Sequence, residues 1–267
     1  MPFARKETPL HSIPLEIATS SWIAYNELAW TQDLLSDPAD WEAEGAVHVD
    51  LIRRNSSFAP RTLLHPGCGA GGHDDVFKRH FAVTGVDISP GMLERARLRH
   101  PDIEYIEDDM RTMRLGRKFD AVAIPDSIDY MVSLPELRMA IETAAAHLKP
   151  GGILLVAGKP REIFRCNNFA YAGEKGDLRV TLLENNHIDP HRPDTYEATL
   201  VYLIRRKGEL TVRAERHVLG LFPRETWEKA FAEAGLSLRE TDLHGAYDKY
   251  LLGDGEYPQK IFLGTKR

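Results

Sequence analysis

The chain has 267 residues, 43% of them hydrophobic and 28% charged, with a formal net charge of -6. This length and composition predict one α/β domain with a full core, or one domain that carries a subdomain. The negative charge disfavours sequence-independent binding to nucleic acid, because contact with a phosphate backbone needs clustered cations.

Neither a membrane span nor an export signal is visible in the sequence. It has no run of about 18 uncharged apolar residues, and its amino terminus lacks the apolar stretch of a signal peptide. We therefore expect a cytoplasmic protein with no membrane partner. The two cysteines, Cys68 and Cys166, form no disulfide framework, and neither resembles a nucleophile or a metal ligand. No metal site is expected.

From residue 61 to residue 157 the sequence alternates short β-type runs with helical periodicity. The five predicted strands cover residues 62–64, 81–86, 103–106, 119–124 and 153–157. After the second strand, Ser89 and Pro90 are typical of a helix N-cap and first helical residue. An apolar stripe over 137–148 predicts another helix, which ends at a turn over 149–152. This alternation predicts a doubly wound α/β fold with a mostly parallel sheet.

Changes in pattern divide the chain into four predicted segments. These are an N-terminal helical cap at 1–58, a cofactor-binding core at 59–160, an antiparallel flap inserted at 161–220 and a completion of the core sheet at 221–267. Within the flap, predicted strands cover 178–183, 196–205 and 210–219. Lys207-Gly208 forms the predicted turn between the last two strands. One face of the flap strands is apolar and would allow the flap to pair across a homodimer.

A glycine-rich loop, Gly67-Cys68-Gly69-Ala70-Gly71-Gly72, directly follows the first predicted strand. Such a loop lets backbone N–H groups approach a nucleoside without interference from Cβ atoms. Asp87 ends the second strand about 20 residues later, where a carboxylate can accept both ribose hydroxyls. Asp109-Met110 follows the third strand, where a carboxylate can accept an adenine amino hydrogen. The loop and Asp87 fit NAD and S-adenosylmethionine alike, whereas the third acidic position favours S-adenosylmethionine.

Five motifs carry a resemblance to a known family. They are Gly67-Cys68-Gly69-Ala70-Gly71, Gly85-Val86-Asp87-Ile88-Ser89, Asp109-Met110, Phe119-Asp120-Ala121-Val122 and Leu148-Lys149-Pro150-Gly151-Gly152. Together they resemble the class I S-adenosylmethionine-dependent methyltransferases. Outside them, His217 with Leu221-Phe222-Pro223-Arg224-Glu225 is similar to the small-molecule members that N-methylate amino groups of nucleotide-linked sugars. Tyr25-Asn26 resembles the Tyr-Asp pair before their first core helix.

The resemblance implies a seven-stranded Rossmann-like sheet whose last strand is antiparallel, with S-adenosylmethionine over the carboxyl ends of the strands. It implies methyl transfer to nitrogen or oxygen of a small-molecule acceptor, with S-adenosylhomocysteine as the product. The cofactor contacts that it implies are Tyr25, His65, Gly67, Gly69, Gly71, Asp87, Ile88, Asp109, Met110, Asp126 and Ser127.

His65 is a departure from the family pattern. The family usually places Asp or Glu two residues before the first glycine, where it orients the loop and the cofactor's amino group. A neutral imidazole there can still donate or accept a hydrogen bond, which would make the affinity sensitive to pH. The alternative is a histidine that is simply packed and hydrogen-bonded at the end of a strand.

The segment after the fourth strand, residues 125–130, lies near the transferable methyl group in this fold. Methyl transfer depends chiefly on placing the nucleophile in line, with a base only where the acceptor is protonated. Asp126, Asp129 and Tyr130 are therefore the candidate catalytic residues. His217 on the flap and Tyr25 in the cap are alternatives, beside the interpretations of a surface-strand residue and an aromatic core residue.

Two other functions stay open from the sequence. A non-catalytic S-adenosylmethionine-binding protein is suggested by His65 and by the lack of a decisive base. An NAD-dependent oxidoreductase would fit the glycine loop and Asp87, but it leaves Asp109-Met110 and the turn at 149–152 unexplained.

Overall fold

The structure is a computed structural model that describes residues 22–267 and the backbone of one short strand before them. Residues 1–16 and 19–21 of the predicted cap lie outside the described residues. The strands are β1 Ile17–Ala18, β2 Thr62–Pro66, β3 Ala82–Asp87, β4 Glu104–Glu107, β5 Phe119–Ile124, β6 Leu148–Gly158, β7 Asn168–Lys175, β8 Leu178–His187, β9 Thr195–Arg206, β10 Glu209–Gly220, β11 Leu236–Leu243 and β12 Gln259–Lys266. The α-helices are α1 Gln32–Leu35, α2 Pro38–Asn55, α3 Asp74–Phe77, α4 Pro90–Arg99, α5 Leu134–Ala146 and α6 Arg224–Glu233.

Seven strands form the main sheet, in the order β11-β12-β6-β5-β2-β3-β4. Strands β2 to β6 pair in parallel, whereas β12 is antiparallel to both of its neighbours. The order reverses beside β2, so the loops after β2 and β5 open toward the same crevice, where ligands bind in sheets of this kind. The predicted α/β fold with a reversed last strand is confirmed.

Helices cover both faces of this sheet because successive strand residues point to opposite sides. Leu64 packs with α5 and α6, whereas its neighbour Leu63 packs with α2 and α3. The predicted start of α4 is confirmed, since the Ser89 hydroxyl accepts the N–H of Met92 at 3.2 Å and Pro90 is the first helical residue. The sheet and its helices therefore hold the loop ends at one rigid edge.

The second sheet is the flap, in the order β1-β10-β9-β8-β7. The turn predicted at Lys207-Gly208 is confirmed, with φ angles of 50° and 87° that suit a two-residue hairpin. Strand β7 was absent from our sequence interpretation because its residues, Asn-Phe-Ala-Tyr-Ala-Gly-Glu-Lys, do not alternate in polarity. The flap is therefore longer than the sequence pattern indicates.

Three details differ from the sequence-based expectations. The predicted cap divides in two, because Val49 and Ile52 of α2 pack on the main sheet, whereas residues 23–35 pack on the flap. Those residues bury the apolar flap face that we expected to mediate a dimer, so that face is not available for pairing. The predicted turn at 149–152 lies within β6, where these residues bulge out between the pairs Phe119–Leu148 and Ala121–Ile153, with Gly151 at a φ of 78°.

Among the described residues, none of the helices combines the length and the apolar character needed to cross a bilayer. The cytoplasmic location expected from the sequence stays a prediction.

Candidate active site

The glycine loop follows β2 at the reversal point of the main sheet. Gly67, Gly69 and Gly71 have φ angles of 66°, 52° and 76°, in the left-handed region that favours glycine. Asp87, at the end of β3, accepts the N–H of Gly69 at 2.8 Å through Oδ2 and the N–H of Ser89 at 2.8 Å through Oδ1. Burial raises the pKa of Asp87, although these two hydrogen bonds act to lower it. The carboxylate therefore stands at the loop, where the sequence predicts it.

The loop encloses a cradle that fits a nucleoside cofactor. A Cβ atom on Gly67 would lie 1.8 Å from Ser127 Oγ and 3.0 Å from the Met110 methyl carbon. Three residues predicted to contact the cofactor therefore lie side by side. A Cβ on Gly69 would meet nothing within 4 Å, which shows that open space lies beside the loop. Ile88 follows Asp87 with 65% of its surface exposed, an apolar side chain available to a base. The residues present therefore fit S-adenosylmethionine.

Asp109 lies after β4 at the same edge, but its carboxylate is already engaged. Arg111 Nη2 donates to Asp109 Oδ2 at 2.6 Å, and Arg111 Nη1 donates to Glu136 at 2.5 Å. These hydrogen bonds from Arg111 hold the pKa of Asp109 below its usual range. Asp109 is therefore an ionised acceptor held in place by an arginine that the sequence analysis did not single out.

His65, the departure from the family pattern, is the last residue but one of β2, just before the glycine loop. It is 2% exposed, and its Nδ1 lies 2.7 Å from Asp74 Oδ1, while the Tyr105 hydroxyl donates to Asp74 Oδ2 at 2.8 Å. This geometry matches the alternative in which His65 is a packed and hydrogen-bonded residue near the end of a strand. Only Nε2 of the ring is left for a cofactor. The buried acid of this region is Asp74, which was missed because it follows the loop instead of preceding it.

Three of the candidate catalytic residues meet at the interface between sheet and flap. The Tyr130 hydroxyl contacts the Tyr25 hydroxyl and lies 2.9 Å from His217 Nδ1. His217 Nε2 lies 3.1 Å from Glu215 Oε1, although its N–H does not point at that oxygen. Glu215 also accepts the N–H groups of Ile23 and Ala24, at 2.9 and 2.6 Å. A continuous polar chain thus runs from Glu215 to Tyr25.

The two aspartates after β5 have different surroundings, and only one of them is free. Asp129 is buried, with Oδ2 at 2.5 Å from Lys159 Nζ, so this predicted base is neutralised by a lysine. Among the described residues Asp126 has no such partner, and its exposed side chain lines the cavity. Desolvation by the surrounding chain raises its pKa to about 7, against the attraction of Lys159. Asp126 can therefore change protonation state near neutral pH.

A cavity of about 250 Å³ joins these groups between the main sheet and the flap. Burial raises the pKa of Glu184, a second carboxylate on its wall. The tyrosines around the cavity are Tyr25, Tyr130, Tyr171, Tyr196, Tyr202, Tyr247, Tyr250 and Tyr257. Aromatic faces and carboxylates both attract a cation, so the cavity suits a ligand that carries an ammonium group.

Sequence reasoning missed Glu215, Lys159, Glu184 and Trp22. Glu215 has a visible signal, because residues two apart on a strand share a face and His217 follows it on β10. Trp22 packs beside both Tyr130 and His217, with ring centroids 5.0 Å away in each case. Lys159 and Glu184 carry no local signal, since their partners lie on other strands.

Comparison with known proteins identifies the family of the chain. The profile of the family described as "Methyltransferase domain" matches residues 63–152. The chain is 35% identical to the dTDP-3-amino-3,6-dideoxy-alpha-D-glucopyranose N,N-dimethyltransferase of Streptomyces fradiae, over 74% of this chain and 78% of that one. It is 33% identical to the dTDP-3-amino-3,4,6-trideoxy-alpha-D-glucopyranose N,N-dimethyltransferase of Streptomyces venezuelae, over 74% and 84%.

Solved structures show the same fold. CalS10, an amino pentose methyltransferase from Micromonospora echinaspora solved with bound S-adenosylmethionine, superposes with a TM-score of 0.71 at 25% identity, over 94% of this chain and all of that one. The sugar N-methyltransferase KedS8 from Streptoalloteichus superposes with a TM-score of 0.75 at 24% identity, over the full length of both chains. The chain belongs to the class I S-adenosylmethionine-dependent methyltransferases, and it is an enzyme that uses this cofactor to methylate nitrogen or oxygen of a small-molecule acceptor.

Proposed function

We propose that the acceptor is the amino group of a small amino sugar, which the enzyme methylates on nitrogen. The observation that carries this proposal is the cavity, which Asp126 lines together with Tyr130 and His217 of the Glu215–His217–Tyr130 chain. The names of the similar enzymes support it, since they describe N,N-dimethyltransferases of amino sugars. The carboxylates and aromatic walls favour an amine over a hydroxyl or an acid as acceptor.

An amine bound as ammonium must lose a proton before its lone pair can attack. S-adenosylmethionine supplies a methyl group on a positively charged sulfur, which leaves as a neutral thioether when the new N–C bond forms. We assign the proton to the carboxylate of Asp126, because a base with a pKa near the working pH is the most effective. The proton passes from there to solvent, which restores Asp126 for a second transfer to the same nitrogen.

Tyr130 has a different role in this proposal. Burial, the proximity of Tyr25 and the hydrogen bond between them raise the pKa of Tyr130 well above its usual value, so the phenol stays protonated. It orients the acceptor as a hydrogen-bond donor or acceptor. His217 fixes the phenol, and the Glu215 carboxylate lies 3.1 Å from the other ring nitrogen of His217. Positioning of this kind is the main contribution that a protein makes to an in-line displacement.

The cofactor side follows the predicted contacts. Gly67, Gly69 and Gly71 would line the methionine and ribose, and Asp87 would accept the ribose hydroxyls. Ionised Asp109 with Met110 would hold the adenine, beside Ile88. Asp126 and Ser127 would lie between cofactor and acceptor. The formal charge of -6 further supports a small acceptor instead of a nucleic acid.

The test is turnover of matched acceptors. Purified enzyme with S-adenosylmethionine is offered a panel of amino sugars, free and nucleotide-linked, and for each the analogue with a hydroxyl in place of the amine. We expect S-adenosylhomocysteine and mono- and dimethylated products from the amines alone, identified by mass spectrometry. Turnover of the hydroxyl analogues at equal rates would overturn the assignment of nitrogen. Turnover confined to acceptors without a sugar would overturn the substrate class.

A further inference from the structure

A second group of polar side chains lies behind the wall of the cavity. Glu44 and His48 are four residues apart on α2 and therefore share one face of that helix. His73 immediately precedes α3, just after the glycine loop. One ligand atom from each of the three residues lies within 4.8 Å of the other two. Only 7%, 0% and 9% of their respective surfaces are exposed.

Most of the hydrogen-bonding capacity of this group is left unused. Among the described residues, neither ring nitrogen of His48 has a hydrogen-bond partner, although the residue is wholly buried. Glu44 Oε1 is likewise without a hydrogen bond there, and the shortest polar contact within the group joins Glu44 Oε2 to His73 Nε2 at 3.2 Å. A buried polar atom without a partner is costly, so native structures rarely keep several together. A bound ligand at this point would remove that cost.

The neighbouring histidines show the contrast. His65, whose ring centroid lies 6.2 Å from that of His73, uses Nδ1 to contact Asp74. His147, buried elsewhere, lies 2.8 Å from the Thr143 oxygen through Nδ1 and accepts the N–H of Leu115 at 3.1 Å through Nε2.

We propose that Glu44, His48 and His73 form a binding site for a divalent transition-metal ion, with Zn²⁺ as the preferred class. Two imidazoles and one carboxylate are the ligand set of many zinc sites that keep a fourth position open. Nitrogen ligands favour zinc and its transition-metal neighbours over Mg²⁺ and Ca²⁺, which prefer oxygen. The spacing of these residues in the sequence predicts no such site, because α2 and the glycine loop meet only in the folded chain.

The location gives the ion a structural consequence. Glu44 also lines the acceptor cavity, and His73 follows Gly72 of the cofactor loop. A Cβ on Gly72 would lie 2.3 Å from the Trp41 ring of α2, so helix and loop already touch. A metal ion would join α2 to the loop and stiffen the cofactor cradle. This role is independent of the identity of the acceptor.

The test uses tag-free full-length protein, dialysed against a chelator and then titrated with Zn²⁺ or Co²⁺ alone. We expect one equivalent to bind and the melting temperature to rise. The cobalt protein should show the intense visible absorption of a four-coordinate ion. His48→Gln should weaken binding by at least about tenfold, because it removes a ligand. His147→Gln, which replaces a buried histidine outside the group, should leave the binding unchanged.

Glu44→Gln provides a second variant in case His48→Gln does not fold. The proposal is overturned if metal-free wild-type protein takes up less than one equivalent. It is also overturned if either ligand variant folds and binds Zn²⁺ as tightly as the wild type, because the ion would then sit on surface groups. None of these readouts depends on methyl transfer.

Discussion

The hydroxyl of Tyr130 and Nδ1 of His217 lie 2.9 Å apart, although 87 positions separate them in the chain. Tyr130 ends the short 3₁₀ helix after β5, whereas His217 lies on β10 of the flap. The hydrogen bond therefore joins the main sheet to the flap. The Tyr130 phenol, to which we assign the orientation of the acceptor, is held in place only when both sheets are formed.

Replacing Tyr130 by phenylalanine should slow the reaction and leave cofactor binding intact. Tyr130→Phe keeps the ring that packs beside Trp22 but removes the hydroxyl that orients the acceptor. We expect kcat to fall roughly ten- to a hundredfold, within the range for a misplaced polar catalytic group. Calorimetry should give an unchanged Kd for S-adenosylhomocysteine. A variant with normal kcat would remove Tyr130 from the mechanism.

The dependence of kcat/KM on pH should reflect the ionisation of Asp126. Only its ionised form accepts a proton, and its pKa is about 7, so kcat/KM should rise with pH and level off above that value. Asp126→Asn should remove this limb of the profile and lower kcat/KM at pH 8. A profile in Asp126→Asn identical to that of the wild type would assign the limb to the acceptor's own amine.

Thermal unfolding gives a control for that variant. The pKa of Asp126 is higher in the folded chain than in the unfolded chain, so folding is favoured by its protonated form. Its contribution to stability is therefore complete below the unfolded pKa and is lost as pH rises through about 7. Asp126→Asn should raise Tm relative to wild type more at pH 8 than at pH 5. A lower Tm at pH 8 would mean that the variant is damaged in another way.

Alanine at Gly67 should destroy the cofactor cradle. Its Cβ would overlap Ser127 Oγ, and its φ of 66° is unfavourable for any L-residue. Gly116→Ala is the matched control, because Gly116 has a φ of 68° but nothing within 4 Å of the added atom. Both variants should lose about 1 kcal/mol of stability, because alanine is strained at a positive φ. Only Gly67→Ala should raise the Kd for S-adenosylhomocysteine, by at least about tenfold or 1.4 kcal/mol.

The contacts of Asp120 should make the free energy of unfolding depend on pH in the acidic range. Burial would raise its pKa, but Lys149 Nζ and the N–H groups of Arg61 and Thr62 donate to it and lower its pKa overall. Because the folded pKa is depressed, the stabilisation is present above the unfolded pKa and is lost as pH falls through the folded value. Asp120→Asn should lose about 2 kcal/mol at pH 7, from hydrogen bonds to a charged group. Urea unfolding should show a smaller difference at pH 3.

The cofactor half of the site could be predicted because its signals are local. The loop at 67–72, Asp87 and Ser89 each act within a few residues of their own position, and parallel strands bring their carboxyl ends to one edge automatically. The ends of the first four predicted core strands shifted by no more than two residues, as when 103–106 became Glu104–Glu107. The same logic placed Asp109, but it could not show that Arg111 holds the carboxylate.

The acceptor half depends on contacts between distant segments. Nothing near Asp129 predicts that Lys159 will neutralise it, and nothing near Asp126 predicts the desolvation that raises its pKa. These properties follow from how the flap lies over the sheet. The two aspartates look equivalent in the sequence, and only the folded chain separates a structural ion pair from a group free to take a proton.

Glu215 gives the flap a further property. The carboxylate that faces His217 is also the one that fastens the N–H groups of Ile23 and Ala24. If residues 23–24 moved away to admit an acceptor, the buried Glu215 carboxylate would lose both of these hydrogen bonds. It would then be able to move away from His217. The site could then not be open to an acceptor and arranged for the reaction at the same time. The position of residues 23–24 and the surroundings of His217 are thus coupled through a single carboxylate.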